Sequence, residues 1–445
     1  MRDRLMALDE TEQPIRVAII GCGRFGSMMM TQIMRAPGMN VAIVCDLNLQ
    51  RVIDTFRSND HDLEGLTVTN RVSEANDGIR RQEPVLTEDV DVAIHSDVDV
   101  VVEATGNPNA GAIHASAAIA ARKHIVMVNV ETDVLVGPVL KHMADKAGVV
   151  YSLAYGDQPA VIDELYDWAT CLGFEVIAAG KGTKYLPEYR RGTPDQALRR
   201  YGYTPEEVGG EDLNPQMYNS FLDGTKSAVE MCAVANMTGL VPDVPGMHFP
   251  PASVNDLPAL LIPAKEGGIL SKNGVVEVVS CIRRDGVDIP NSLRWGVFVV
   301  LTTDSLYLRN CLREYGVAMD PSGRYGVMYR PYHLVGMEAP ISIARIFLHK
   351  EPTGAPKARV GEVVAVAKHF LKPGDVLDGE GGCTVYGSLV EAVQASSQEL
   401  VPIGLCSGAR VVRPINADQM LSYQDVEMLE GMFVRNLRES YESTD

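Results

Sequence analysis

Positive charge is scarce in this chain: 40 Lys and Arg stand against 58 Asp and Glu, a formal charge of -18. Such a surface has no general attraction for nucleic acid or an anionic membrane, so any anion-binding site must be local. No apolar run approaches the ~20 residues of a bilayer span, and Met1 to Pro14 lacks the apolar core and cleavage pattern of a secretion signal. A cytoplasmic address, with no membrane and no nucleic-acid partner, is therefore expected. The eight cysteines are scattered, without a C-x-x-C pair or a His at metal-finger spacing, and are expected to be reduced and mostly buried. Also missing are a Gly-x-Ser-x-Gly elbow, a zincin motif, a phosphate-binding P-loop, internal repeats and low-complexity tracts.

What is present is a long chain of globular composition, 445 residues with 46% hydrophobic and 22% charged, enough for two or three domains. Alternating apolar strands and helices run from Ile15 to Leu153 and imply an α/β fold with a doubly wound parallel sheet. The stretch from 50 to 90 is irregular and reads as an insertion. Beyond Tyr155-Gly156-Asp157-Gln158-Pro159 the order changes. A helix from Ala160, a strand at Phe174 to Ala179, a Gly- and Lys-rich loop and a helix from Ser220 to Met237 follow, with strands at Val275 to Cys281, Gly296 to Thr302 and Ile341 to Phe347. These describe a central α+β domain. From about Ala358 short strands and turns suggest a small β-rich module. The expected boundaries are 1–155, 156–357 and 358–445.

The strand Ile15 to Ile20 runs into Gly21-Cys22-Gly23-Arg24-Phe25-Gly26. In G-x-G-x-x-G the first glycine makes the turn, the second admits a pyrophosphate, and the third lets helix and strand pack. A helix follows, and Asp46 closes the next strand about 20 residues on, completing a Rossmann dinucleotide fingerprint. An acid there accepts from a ribose 2'-hydroxyl and favours NAD, whereas Arg24 and Arg51 offer partners to a 2'-phosphate. The residues leave both cofactors open. Ala104-Thr105-Gly106 and Asn129 lie at strand ends, where such a sheet meets the nicotinamide, or are ordinary turn residues.

The densest candidate for chemistry is Gly180-Lys181-Gly182-Thr183-Lys184: a local pocket for a phosphate or carboxylate, or a solvated loop. In Asp223-Gly224-Thr225-Lys226 to Glu230, Asp223 is placed to cap a helix. Lys226 and Glu230 share a helical face, as an ion pair or as a proton donor and anchor. Asp157 and Glu131 are candidate carboxylate ligands for Mg or Mn. His95, His114, His124 and His142 are read as structural or exposed.

With Arg16 to Gly26, Asp99 to Gly106, Val128-Asn129 and Leu222 to Glu230, the first 240 residues resemble the homoserine dehydrogenase superfamily, departing from it at Asn129-Val130, where those enzymes carry Asn-Lys. Ala365 to Gly379 resembles a SAF (antifreeze-like) module. The combination resembles the 1-deoxy-D-xylulose 5-phosphate reductoisomerase-like family. That resemblance implies a homodimer using NADPH, with NADH as the alternative, and a divalent Mg or Mn. It would convert deoxyxylulose 5-phosphate into 2-C-methyl-D-erythritol 4-phosphate on the methylerythritol phosphate route to isoprenoids. Lys181, Thr183, Lys184 and Lys226 would then hold phosphate or developing oxyanions, and Asp157, Glu131 and Glu230 would be ligands or acid-base groups. Two other readings remain: an NAD(P)-dependent dehydrogenase of another small hydroxy substrate, and a non-catalytic dinucleotide-sensing or SAF-mediated binding protein.

Overall fold

The computed structural model describes residues 1–59, 63–204, 208 and 213–442. The chain divides into two compact units: Met1–Ala160 with Leu334–Pro356 and Met432–Asp445, and Val161–His333 with Lys357–Gly431.

In the first unit, among the described residues, seven parallel strands are ordered β3-β4-β2-β1-β5-β6-β7. They are β1 (Ile15–Ile20), β2 (Met39–Cys45), β3 (Thr67–Val68), β4 (Val85–Thr87), β5 (Val100–Glu103), β6 (His124–Met127) and β7 (Tyr151–Leu153). The central strands are runs of β-branched residues buried on both faces, as a sheet covered by helices requires. The order reverses beside β1, so the crevice at the carboxyl ends of β1 and β5 is where such a sheet binds ligands.

Two expectations are corrected here. The stretch 50–90 is no insertion: it supplies β3 and β4 to the sheet edge, with helices Leu49–Ser58, Val72–Arg80 and Val90–His95 around them. Strands of two and three residues are too short to show a period. Ile341 to Phe347 is not a strand but part of the helix Ala339–His349, with Pro340 in its first turn. Its buried residues Ala339, Ile343, Ala344 and Ile346 follow helical spacing and join the first unit's core with Met29, Met30 and Ile33.

The second unit holds a mixed sheet, ordered β12-β13-β11-β8-β10-β9. Its strands are β8 (Glu175–Thr183), β9 (Val241–Pro242), β10 (Val275–Ser280), β11 (Val297–Thr302), β12 (Ala318–Met319) and β13 (Tyr325–Arg330). β10 pairs parallel with β8 and β9, and the remaining pairs are antiparallel. Leu257, Leu261, Val275, Val279, Phe298 and Val300 are among its core. The single helix expected from Ser220 to Met237 is two, Pro215–Asp223 and Thr225–Thr238, broken at Gly224 with φ +92°, a left-handed conformation that glycine adopts without cost.

The tail from 358 does not form a unit of its own. Its hairpin, β14 (Gly361–Ala367) with β15 (Val385–Glu391), is tied to Thr225–Thr238. Asn236 Oδ1 accepts from the amides of Val360 (2.8 Å) and Gly361 (3.0 Å), and the Gly387 amide donates to Thr225 Oγ1 (2.8 Å). Lys372 to Leu377 and Gly379 to Thr384 are turns, the second built on the Asp378 carboxylate, which accepts from the amides of Cys383 and Thr384. At the chain's end, helix Phe433–Glu442 returns to the first unit, where the Val434 amide donates to Asn109 Oδ1 (3.1 Å). Among the described residues no helix is long and apolar enough to cross a membrane. All eight cysteines are free, and five are buried.

Candidate active site

β1 delivers the chain to Gly21, whose φ of +92° turns it toward helix Arg24–Ile33. A Cβ on Gly21 would lie 2.9 Å from the Ala104 carbonyl, and one on Gly26 would lie 2.1 Å from Gly21 O. These two glycines close the turn against β5 and against the helix. Gly23 has nothing within 4 Å of where a Cβ would stand, the open approach a pyrophosphate needs. Gly26→Ala is accordingly expected to lower nicotinamide-dinucleotide affinity by roughly tenfold or more, about 1.4 kcal/mol, as read by NADPH fluorescence titration. An unchanged Kd would contradict this role.

Asp46 follows β2, and its carboxylate accepts from the amides of Cys22 (2.6 Å) and Asn48 (2.7 Å). The acid is thereby fixed against the glycine loop. Arg24 is exposed at the start of its helix and Phe25 is half-buried. Arg51 lies in the first turn of Leu49–Ser58, where its amide donates to the Asn48 cap. Thr105 is held by Glu103, whose Oε1 accepts from its hydroxyl and amide and faces His114 Nδ1 at 3.3 Å. Glu103 is fully buried and was not singled out from the sequence, although a carboxylate ending an all-valine strand is a visible signal. Gly106 is left-handed and open. Asn129 is 1% exposed and caps helix Val130–Ala147, accepting from Thr132 N (3.1 Å) and donating to Asn107 O (3.0 Å). That is a brace beneath the loop.

In the second unit, the expected Gly- and Lys-rich loop is the end of β8. Glycines belong in this strand because neighbouring backbone crowds it. A Cβ on Gly180 would lie 1.7 Å from Glu277 O, and one on Gly182 would lie 1.8 Å from Leu293 O. Gly182→Ala should therefore cost roughly 3 kcal/mol or more, beyond ordinary overpacking, measurable by urea unfolding. A loss below about 1 kcal/mol would mean that the sheet yields easily.

This strand carries Lys181 into the interior, 6% exposed, where its Nζ pairs with Glu230 of helix Thr225–Thr238, itself 5% exposed. Thr183 is 9% exposed. Lys184 is half-buried, and its Nζ donates to Arg200 O (2.6 Å). Burial, and then the charge of Arg294, hold its pKa below the usual lysine value. Lys226 lies half-buried in the first turn of its helix. Asp223 is not an exposed cap. It ends the preceding helix at 1% exposure, accepts from Thr225 N (2.9 Å) and pairs with Lys368 Nζ at 2.7 Å. Lys368, 2% exposed, also donates to Gly192 O (2.9 Å) and Gly382 O (2.6 Å). It lies 145 positions beyond Asp223, and no local spacing points to it.

Each expected metal ligand has a place within its own unit. Asp157 accepts from its neighbour Gln158 N (2.8 Å), Glu131 stands in the first turn of a helix, where an acid suits the dipole, and Glu230 is paired with Lys181. Among the described residues no three His, Cys, Asp or Glu side chains are placed to hold a metal ion.

With this geometry in view, residues 21–147 match the homoserine dehydrogenase NAD-binding domain family, and residues 156–339 match the catalytic domain of oxidoreductase DRL. The chain is an NAD(P)-dependent oxidoreductase. No curated protein matches it. Solved structures similar to it include a probable dehydrogenase from Thermotoga maritima, at 12% identity over 77% of this chain and 91% of that one, TM-score 0.37. DOX-P reductoisomerase in complex with magnesium is similar at 14% identity over 49% and 57%, TM-score 0.32. Biliverdin reductase from Synechocystis sp. PCC 6803, in complex with biliverdin and NADP+, follows at 14% over 44% and 55%, TM-score 0.28.

Proposed function

We propose that this oxidoreductase is an NADPH-dependent reductoisomerase converting 1-deoxy-D-xylulose 5-phosphate into 2-C-methyl-D-erythritol 4-phosphate, and that it works as a homodimer. The observation that carries the reading is the buried Lys181–Glu230 pair at the end of β8, within the segment that matches the DRL oxidoreductase catalytic domain. The resemblance of the Rossmann segment and the tail to the reductoisomerase-like family supports it further.

The reaction requires the C3 hydroxyl to lose its proton, the C3–C4 bond to break as C2–C4 forms, and the C2 oxygen to gain a proton. The aldehyde left at C3 then receives hydride from NADPH and a proton on its oxygen. An ammonium in a dry, preorganised setting stabilises alkoxides of this kind better than water does. Lys181, fixed by Glu230, is assigned that role, with Lys226 as the exchanging acid-base group. Asp46 is the residue that must tolerate a 2'-phosphate, with Arg24 and Arg51 as its counter-charges.

A second reading, a dehydrogenase of a small hydroxy substrate without rearrangement, draws on the match to the homoserine dehydrogenase NAD-binding domain. Absorbance at 340 nm separates the two. The proposal expects oxidation of NADPH that depends on deoxyxylulose phosphate. Reduction of NADP by homoserine, with no response to deoxyxylulose phosphate, would replace it with the second reading.

A further inference from the structure

Two arginines, Arg190 and Arg284, lie against the aromatic pair Tyr185–Phe249, whose ring centroids are 4.2 Å apart. Arg190 is half-buried, with its Cζ 5.7 Å from the Tyr185 centroid and 5.9 Å from that of Tyr386. Arg284 donates from Nη2 to Phe249 O at 2.9 Å. Neither has a carboxylate at ion-pair distance among the described residues, whereas their neighbours Arg191 and Arg283 pair with Asp418 and Asp285. Burial pushes the Tyr185 hydroxyl up to about 12, and Arg284 is exposed to solvent while its guanidinium holds the Phe249 carbonyl.

The backbone between them is held in an unusual shape. Gly246, Met247 and Phe249 all have positive φ, at +77°, +62° and +50°. Two of these are not glycine, and left-handed backbone in bulky residues costs of order 1–3 kcal/mol each, a strain that clusters at ligand sites. This loop places Phe249's ring on Tyr185 and its carbonyl on Arg284, while a Cβ on Gly246 would lie 3.8 Å from Arg190 Nη2. His248, between them, is fixed by the buried Glu277 at 2.7 Å from Nδ1 to Oε2, and that contact raises its pKa.

We infer that Arg190 and Arg284, held at the Tyr185–Phe249 pair, form a binding site for the phosphate group of a small phosphorylated substrate. Two guanidinium forks match phosphate oxygens in charge and geometry, and stacking on Tyr185 and Tyr386 preorganises Arg190. This moves the phosphate anchor from Thr183 and Lys184 to residues beyond β8. Calling the anion a substrate phosphate rests on the proposed reductoisomerase reading; the binding of phosphate does not.

Calorimetric titration of the full chain with inorganic phosphate tests the site. Wild type should bind, Arg190→Met and Arg284→Met should each weaken binding by about tenfold or more, and Arg190→Lys should recover part of the loss. Arg283→Met should bind as wild type does, and thermal melting of each variant reports whether it folds. The NADPH dissociation constant should not move in any of them. Failure of wild type to bind phosphate, or binding unchanged in Arg190→Met and Arg284→Met, would overturn the site. A parallel loss of NADPH affinity would show that the arginines serve the dinucleotide instead. If phosphate binding holds while deoxyxylulose phosphate is not turned over, the site survives and the reductoisomerase reading fails.

Discussion

Lys181→Met is expected to abolish turnover and to destabilise the fold by about 3–5 kcal/mol, the usual result of removing one partner from a buried ion pair. Glu230 is 5% exposed, and water cannot replace the lost ammonium there without opening the packing of helix Thr225–Thr238. Adding Glu230→Gln to Lys181→Met should restore most of the stability, because the uncompensated charge is gone, while turnover stays absent. Urea unfolding and single-turnover NADPH oxidation measure the two effects separately. Wild-type turnover in the single variant would remove Lys181 from the chemistry, and undiminished stability would show that the pair is solvated in solution.

A second large effect is expected in the first unit. Asp133 is buried in helix Val130–Ala147 and accepts from Tyr151 OH at 2.7 Å, while its Oδ2 has no partner. Burial raises its pKa from 3.8 to about 7, against the opposing hydrogen bond from Tyr151. Between those values the folded chain keeps a proton that the unfolded chain has lost. The Asp133 contribution to stability is therefore greatest below pH 4, falls as pH rises toward 7, and is level above it, a loss on the order of 4 kcal/mol from this group. Asp133→Asn cannot ionise and still accepts from Tyr151, though its amide nitrogen lacks an acceptor. The expected net gain at pH 8 is on the order of 1–3 kcal/mol, with the decline between pH 4 and 7 largely removed. Denaturant melts at pH 5 and pH 8 measure it. A variant less stable than wild type at pH 8 would show that the carboxylate is ionised at no cost.

The glycine loop of the first unit is legible in the sequence because its chemistry is local. Gly21, Gly23, Gly26 and Asp46 lie within 26 residues; Gly21 and Gly26 meet backbone that a Cβ would strike, Gly23 leaves an open approach, and the Asp46 carboxylate holds the loop amide. The Lys181–Glu230 pair of the second unit is legible only as residue types. Lys181 and Glu230 were both singled out, yet their pairing depends on β8 continuing through glycines that read locally as a loop. The reason for those glycines is the carbonyls of Glu277 and Leu293, about a hundred residues away. Lys368, Arg190 and Arg284 escaped notice for the same cause: their neighbours come from distant segments. Ile341 to Phe347 misled because β-branched residues suit a strand wherever tertiary packing does not override them.

The proposed reaction differs from a plain reduction in one bond, and that bond can be observed. Deoxyxylulose 5-phosphate labelled with 13C at C3 and C4 shows a one-bond carbon coupling between them. After incubation with the protein and NADPH, the account predicts a product in which that coupling is lost, with the former C3 now a hydroxymethyl carbon. A product that retains the C3–C4 coupling while NADPH is consumed would contradict the rearrangement and leave a simple reductase.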